Sequence, residues 1–338
     1  MNRESFRLRK PGSLNELNLN QEELAEPEEN EVTVEVKAIG LNFADLFSIM
    51  GLYAAAPKDS FIPGLEYSGV VIKTGSAVKT VKVGDRIMGA TRFGAYTTHI
   101  NIDYRYIRPL PEGWSFEEGA GFIVQALTAY YALIPLGNLK KGQTVLIHSA
   151  AGGVGIYANR IAKLFSAYTI GSIGSPGKTE LLKKEGYDQV IVRSGSFRQD
   201  LQKALGGRPL NLVLECIGGE IFKASYDALA PTGRVIVYGA ANFMPSGMSP
   251  NRLKLFYQYL TRPKIDPIEM TTDNKSVLAF NLIWLWDFAD EMNAYFDALI
   301  SLRLPRPVIG HTFAFADTLK ALQLFQSGKT IGKVVVKV

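Results

Sequence analysis

The chain has 338 residues, 47% of them hydrophobic, and a net charge of +5, which together predict two domains with separate buried cores. A single cysteine, Cys216, excludes a disulfide framework and a cysteine-built metal cluster. The basic residues are dispersed rather than clustered, no basic-then-apolar leader opens the sequence, and the apolar stretch around residues 278–286 falls far short of the roughly 20 residues of a membrane span. The expectation is a cytoplasmic protein with no nucleic-acid or membrane partner, acting as a monomer or a homodimer.

The first 120 residues read as β-rich. "EVTVEVKAIG" (31–40) and "YSGVVIKTG" (67–75) alternate apolar and polar side chains between turn residues, and "VKVGDRIMG" (81–89) is similar. A proline-bearing connection then leads into a helical stretch near residue 116. From about residue 121 the rhythm changes. Short apolar runs at 144–148, 168–174, 189–192, 211–218 and 233–239 predict strands, and segments 155–165, 177–185, 197–205 and 220–229 between them predict helices. Strands alternating with helices predict a parallel sheet covered on both faces. After residue 262 the pattern is mixed, and the chain closes on the strand-like "TIGKVVVKV". The expected class is α/β: a β-rich domain of residues 1–120 and 262–338, and a doubly wound domain of residues 121–261. A cleft between them is the expected ligand site.

In "HSAAGGVG" the dinucleotide fingerprint falls on Ala150, Gly152 and Gly155, with alanine in the first glycine position. The turn follows a predicted strand and opens a predicted helix, the context in which a pyrophosphate rests on free N–H groups at a positive dipole end. Ala151, Gly152, Gly153, Val154 and Gly155 are therefore cofactor-binding candidates. An NAD site usually places an acid about 20 residues on. Here "GSIGSPGK" has no acid; it offers Ser172, Ser175 and Lys178, with Arg193 after the next strand. Hydroxyls and cations suit a 2′-phosphate, so the expected cofactor is NADPH.

With these residues in place, "GLNFADL", "GLY", "PGLEYSGVV", "VGDRIMG", "LTAYYAL", "HSAAGGVG" and "GKVVV" resemble, in order, the zinc-independent, quinone-oxidoreductase-like branch of the medium-chain dehydrogenases/reductases. "PGSLNEL", "PEGWSFEEGAGF" and "GSPGK" resemble the enoyl reductase domains of modular polyketide synthases, of the curacin and jamaicamide type. "LNFADLFSIMGLY" and "VYGAAN" also resemble the synaptic-vesicle-type relatives. The resemblance implies a GroES-like catalytic domain, a Rossmann domain and NADPH-dependent reduction of an α,β-unsaturated thioester on acyl carrier protein. Where zinc enzymes of the superfamily carry ligands, this chain has Asn42 and Leu65, so no zinc site is expected. Many polyketide enoyl reductases carry lysine where this chain has Ala240, and Asn242 stands where they often have Asp, which leaves the proton donor open.

Tyr53 is the candidate proton donor through its phenol. Asn42 is expected to position the nicotinamide or the substrate carbonyl, or else to cap the helix that follows. Thr128, Gly239 and Lys333 are candidates for cofactor contact, while the scattered His99, His148 and His311 are given no catalytic role. Alternatives are a cyclopropane-forming reductase acting on a γ-chloro-enoyl thioester, a free quinone or enal reductase, and a non-catalytic, crystallin-like NADPH-binding protein.

Overall fold

The computed structural model describes residues 1–338. Two sheets dominate it. The first is mostly antiparallel and seven-stranded. Its path runs through Ile309–Ala314, Lys333–Lys337, Glu31–Gly40, Glu66–Thr74, Arg86–Ala90 and Ile107–Pro109, with His99–Asp103 paired beside Glu31–Gly40. A hairpin of Asn2–Leu8 and Leu17–Glu23 adjoins it. Val32, Val34, Val36 and Ile39 of Glu31–Gly40 are all buried, with Leu46, Tyr67 and Tyr96 in the same core. This is the GroES-like domain.

The second sheet is parallel throughout, with six strands in the order Gln189–Val192, Tyr168–Ile173, Thr144–His148, Leu210–Glu215, Leu229–Val237, Ser276–Ala279. The helices between them lie at Gly153–Leu164, Thr179–Lys184, Phe197–Leu205 and Gly219–Asp227, within two residues of the expected bounds. Because both faces are covered, Thr144–His148 is buried along its whole length. This is the Rossmann domain.

Two expectations are corrected. Ser276–Ala279 pairs in parallel with Arg234–Val237, and helix Ala289–Ser301 packs on helix Ile123–Tyr131, so the chain does not return to the first domain at residue 262. It rejoins the first sheet only at Ile309. The mixed pattern concealed this because an edge strand of four residues carries little periodic signal. Nor is 278–286 the most membrane-like stretch: the helical run Phe116–Leu136 is longer and apolar, but 72% of its apolar window is buried inside the protein, as a core helix requires.

The last strand ties the two domains together. Lys333–Lys337 pairs antiparallel with Glu31–Gly40, while just before it the Gly332 N–H donates to the Ala151 carbonyl at 2.8 Å, inside the glycine turn of the Rossmann domain. Gly332 has φ +55°, and a Cβ there would lie 2.1 Å from the Val308 carbonyl oxygen, so both backbone and space demand glycine.

Gly155 also marks a close approach. A Cβ at Gly155 would meet the Ala150 Cα at 2.6 Å and the Ser149 carbonyl oxygen at 2.7 Å. Both are backbone atoms that cannot rotate away. We expect Gly155→Ala to cost about 1–3 kcal/mol, read as a lowered urea midpoint. An unchanged midpoint would show that the helix can lift off the strand.

Candidate active site

The carboxyl ends of the parallel strands face the first domain across a cavity of ≈ 350 Å³. At its centre strand Thr144–His148 runs into the glycine turn. The left-handed residue there is Ser149, with φ 50°, which explains why alanine is accepted at position 150. Gly152 is extended, with φ −85°, and a Cβ on it would meet only the Ser149 carbonyl oxygen, at 3.2 Å. Its value is open approach to the backbone, not freedom in φ. Helix Gly153–Leu164 starts here, and its ladder opens with the Ile156 N–H on the Gly152 carbonyl. The N–H groups of Gly153, Val154 and Gly155 have no acceptor in the protein. They are free donors at the positive end of a helix dipole, facing the cavity, and suit a pyrophosphate.

One end of the cleft is cationic. Lys178 donates to the Gly328 carbonyl at 2.7 Å. The Arg193 guanidinium donates to the Ser172 carbonyl at 3.2 Å and to Ser172 Oγ at 3.0 Å. Neither pairs with a carboxylate. Burial, with the neighbouring Arg193 charge second, lowers the Lys178 pKa, and burial lowers that of Arg193. Two like charges held together without a counter-ion suit an anionic group. The expected hydroxyls behave differently. Ser172 is fully buried and committed to Arg193 and His148. Ser175 is exposed and does not line the cleft. It precedes Pro176 and adopts the extended backbone that position imposes, on the outer edge of the turn.

Beneath the opposite end lies a buried polar cluster. Lys333 Nζ donates to Glu66 Oε1 and, at 3.0 Å, to Asn42 Oδ1. Glu66 Oε2 accepts the Val124 N–H at 3.1 Å. Asn42 Oδ1 also accepts from Gln125 Nε2 at 2.5 Å, while its Nδ2 donates to Glu66 Oε1 at 3.0 Å and the Gly40 carbonyl at 3.2 Å. Every donor and acceptor of the Asn42 amide is therefore taken by the protein, which corrects the expectation that it would hold nicotinamide or substrate. It is instead the N-cap residue of helix Phe43–Ile49, where its own N–H meets Asp45 Oδ2 at 2.8 Å. Burial raises the Asp45 carboxyl to about 7. Lys333 likewise serves Glu66 and Asn42 first, and burial lowers its pKa.

The remaining candidates reach the cavity. Tyr53 donates its phenol to Asn281 Oδ1 at 2.5 Å, and burial pushes it up to about 12. Thr128 lines the wall but gives its hydroxyl hydrogen to the Val124 carbonyl at 2.7 Å, leaving only an acceptor. Gly239 and Ala240 line the cleft, and a Cβ on Gly239 would meet Cys216 Cβ at 3.1 Å. Asn242 does not line it; its side chain lies over Gly218. Around Tyr53 the wall is apolar: Phe47, Leu65, Phe280, Leu282 and Trp286. Glu66, Gln125 and Asn281 were missed in the sequence. Glu66 was visible there only as a charge opening an apolar strand.

Two segments match family models: residues 28–112 an alcohol dehydrogenase GroES-like domain, and residues 153–275 a zinc-binding dehydrogenase. The site does not fit zinc, since no three His, Cys, Asp or Glu side chains gather in the protein. The anionic Glu66 is already answered by the Lys333 ammonium, which would repel a metal ion. The chain is 31% identical over 313 residues to the synaptic vesicle membrane protein VAT-1 homolog of Mus musculus, covering 92% of this chain and 77% of that protein. It is 39% identical over 241 residues to a reducing polyketide synthase of Floropilus chiversii, covering 68% of this chain and 10% of the synthase. Among solved structures, a mycobacterial protein complexed with NADPH superposes with a TM-score of 0.84 at 26% identity, over 99% of this chain and 100% of that one. The CurK enoyl reductase superposes at 0.81 with 26% identity, over 99% of both chains.

Lys333→Met removes the counter-ion of a fully buried carboxylate and is expected to cost about 3–5 kcal/mol. Adding Glu66→Gln removes the stranded charge, and the double variant should recover about half of the loss in urea midpoint. Equal loss in single and double variants would show that Glu66 needs no counter-ion.

Proposed function

Because the chain belongs to the medium-chain dehydrogenases/reductases, a family of oxidoreductases, we propose that it is an NADPH-dependent enoyl reductase acting on an α,β-unsaturated thioester carried by acyl carrier protein in polyketide assembly. The observation that carries this reading is a cleft with two unlike ends: free helix N–H groups and the uncompensated Lys178 and Arg193 at one, and an apolar wall around the Tyr53 phenol at the other. The likeness to the CurK enoyl reductase and to a reducing polyketide synthase supports the substrate class. The likeness to an NADPH-bound protein supports the cofactor.

The residues divide the work. The N–H groups of Gly153, Val154 and Gly155 hold the pyrophosphate, and Lys178 and Arg193 hold the 2′-phosphate. Bound there, NADPH supplies hydride to the β-carbon of the alkene. Phe47, Leu65, Phe280 and Trp286 keep water from the acyl chain. Charge then builds on the thioester oxygen as an enolate. Tyr53 holds its proton throughout the neutral range, since burial has raised its pKa to about 12. It turns that proton from Asn281 to the α-carbon of the enolate. The likeness to a quinone oxidoreductase of Pseudomonas syringae, which superposes with a TM-score of 0.82 at 28% identity over 99% of this chain and 100% of that one, supports a second reading, in which a small quinone or enal occupies the same cleft without a carrier.

Five outcomes test the reading. NADPH should be preferred over NADH by at least roughly tenfold in kcat/KM, because charge-assisted bonds are worth about 1.5–3 kcal/mol each. Lys178→Ala should raise the KM for NADPH and leave NADH use nearly unchanged; equal use of both cofactors by the parent protein would sink the assignment. Tyr53→Phe should lower kcat by about 100-fold or more with little change in the KM for NADPH. Between about pH 6 and 9 the parent kcat should show no limb from Tyr53, which loses its proton only near 12. A kcat unmoved by Tyr53→Phe would assign protonation to water. Enoyl thioester on carrier protein should exceed a soluble quinone in kcat/KM by roughly tenfold; the reverse order would establish the second reading.

A further inference from the structure

Four neighbouring strands of the parallel sheet each place a polar residue at or beside their carboxyl end. In the spatial order Gln189–Val192, Tyr168–Ile173, Thr144–His148, Leu210–Glu215 these are Arg193, Ser172, His148 and Glu215. They touch in that order. Arg193 Nη1 lies 3.0 Å from Ser172 Oγ, Ser172 Oγ lies 2.8 Å from His148 Nδ1, and His148 Nε2 lies 3.2 Å from Glu215 Oε2. Ser172, His148 and Glu215 are all fully buried.

The hydrogens can point in only one consistent way. Ser172 Oγ accepts from the guanidinium, so its own hydrogen goes to His148 Nδ1. Burial keeps the imidazole neutral, with a pKa of about 3, so its one N–H is on Nε2. That hydrogen goes to Ser225 Oγ at 2.9 Å, and Glu215 Oε2 lies 3.2 Å from the same nitrogen without accepting a hydrogen bond. Ser225 gives its own hydrogen to the Ile221 carbonyl and can only accept. Every hydrogen bond therefore runs from Arg193 toward Ser225, with Glu215 Oε2 beside the last ring nitrogen. The carboxylate has a separate local task, in which Oε1 accepts the N–H groups of Ile217 and Gly218. Oε2 takes no part in it and accepts no hydrogen bond, standing 3.2 Å from His148 Nε2.

We propose that Glu215, His148 and Ser172 are positioning residues that hold the Arg193 guanidinium at the 2′-phosphate end of the cleft, so that recognition of that phosphate is set by a chain of buried contacts crossing the sheet. The proposal rests on the NADPH reading above. A guanidinium with no carboxylate partner is otherwise free to turn to solvent. Ser172 fixes its direction, His148 fixes Ser172, and Ser225, with the carboxylate beside it, fixes which ring nitrogen carries the hydrogen.

Two substitutions break the chain at different links. Ser172→Ala deletes one oxygen. Glu215→Gln keeps an acceptor for Ile217 and Gly218 but presents an N–H to His148 Nε2. That sets an N–H against the Nε2 hydrogen, shifts the ring toward the other tautomer in spite of Ser225, and so weakens the acceptor of the Ser172 hydroxyl hydrogen. Binding of adenosine 2′,5′-bisphosphate and adenosine 5′-phosphate is measured by calorimetry on the parent, Ser172→Ala, Glu215→Gln and Arg193→Ala. The parent should bind the bisphosphate more tightly, and Arg193→Ala should remove most of that preference. Ser172→Ala and Glu215→Gln should each weaken the bisphosphate roughly threefold to tenfold and leave the monophosphate within about twofold. Equal loss for both ligands, or no loss for either, would overturn the chain and leave Arg193 acting alone. A parent that does not discriminate between the ligands would overturn the NADPH reading itself. Should Glu215→Gln not fold, the one-oxygen Ser172→Ala decides the question.

Discussion

The arrangement depends on one buried ion pair. Glu66 belongs to the first sheet, and Lys333 opens the last strand of that sheet, one residue after the contact with the Rossmann glycine turn. Taken from water separately, either charge would cost several kcal/mol, and together they are tolerable because further hydrogen bonds surround both of them. The partners in these bonds come from both domains: Asn42 from the first, the Val124 N–H and Gln125 from the helix beneath the Rossmann sheet. The pair thus demands that both domains meet in one register, which gives the cleft its floor.

Above that floor, charge is distributed by topology. In an open parallel sheet the strands deliver their carboxyl ends to one edge, so the glycine turn, Arg193 and Cys216 converge there without any of them being near in sequence. The apolar wall comes from the other domain and from the crossing segment 280–286. Anion-binding chemistry and apolar chemistry therefore have separate structural sources.

The sequence was legible where function is local. The glycine turn, its helix, Lys178 and Arg193 could each be placed from a strand, a loop and a spacing. It was illegible where one residue's meaning depends on another far away. Glu66 and Lys333 stand 267 positions apart, so no window on the chain contains both. Asn42 looked available because nothing local shows that four partners will surround its amide. Ser172 looked like a phosphate ligand because a parallel strand is buried on both faces, and inward and outward positions cannot be told apart by alternation. The late return of the chain was hidden by the brevity of Ser276–Ala279.

The hydrogen bond from Gly332 to Ala151 has a mechanical consequence. The peptide that carries it joins the turn that would grip a pyrophosphate, and the very next residue is Lys333, whose ammonium is locked to Glu66 and Asn42. The linkage acts as a short, stiff tether: glycine permits its sharp bend, and the crowding of Val308 forbids any slack. A small displacement of the turn cannot be absorbed within it. It must be passed on as a pull on the ammonium and so on the floor of the cleft, which makes the two ends of the cavity a single moving part.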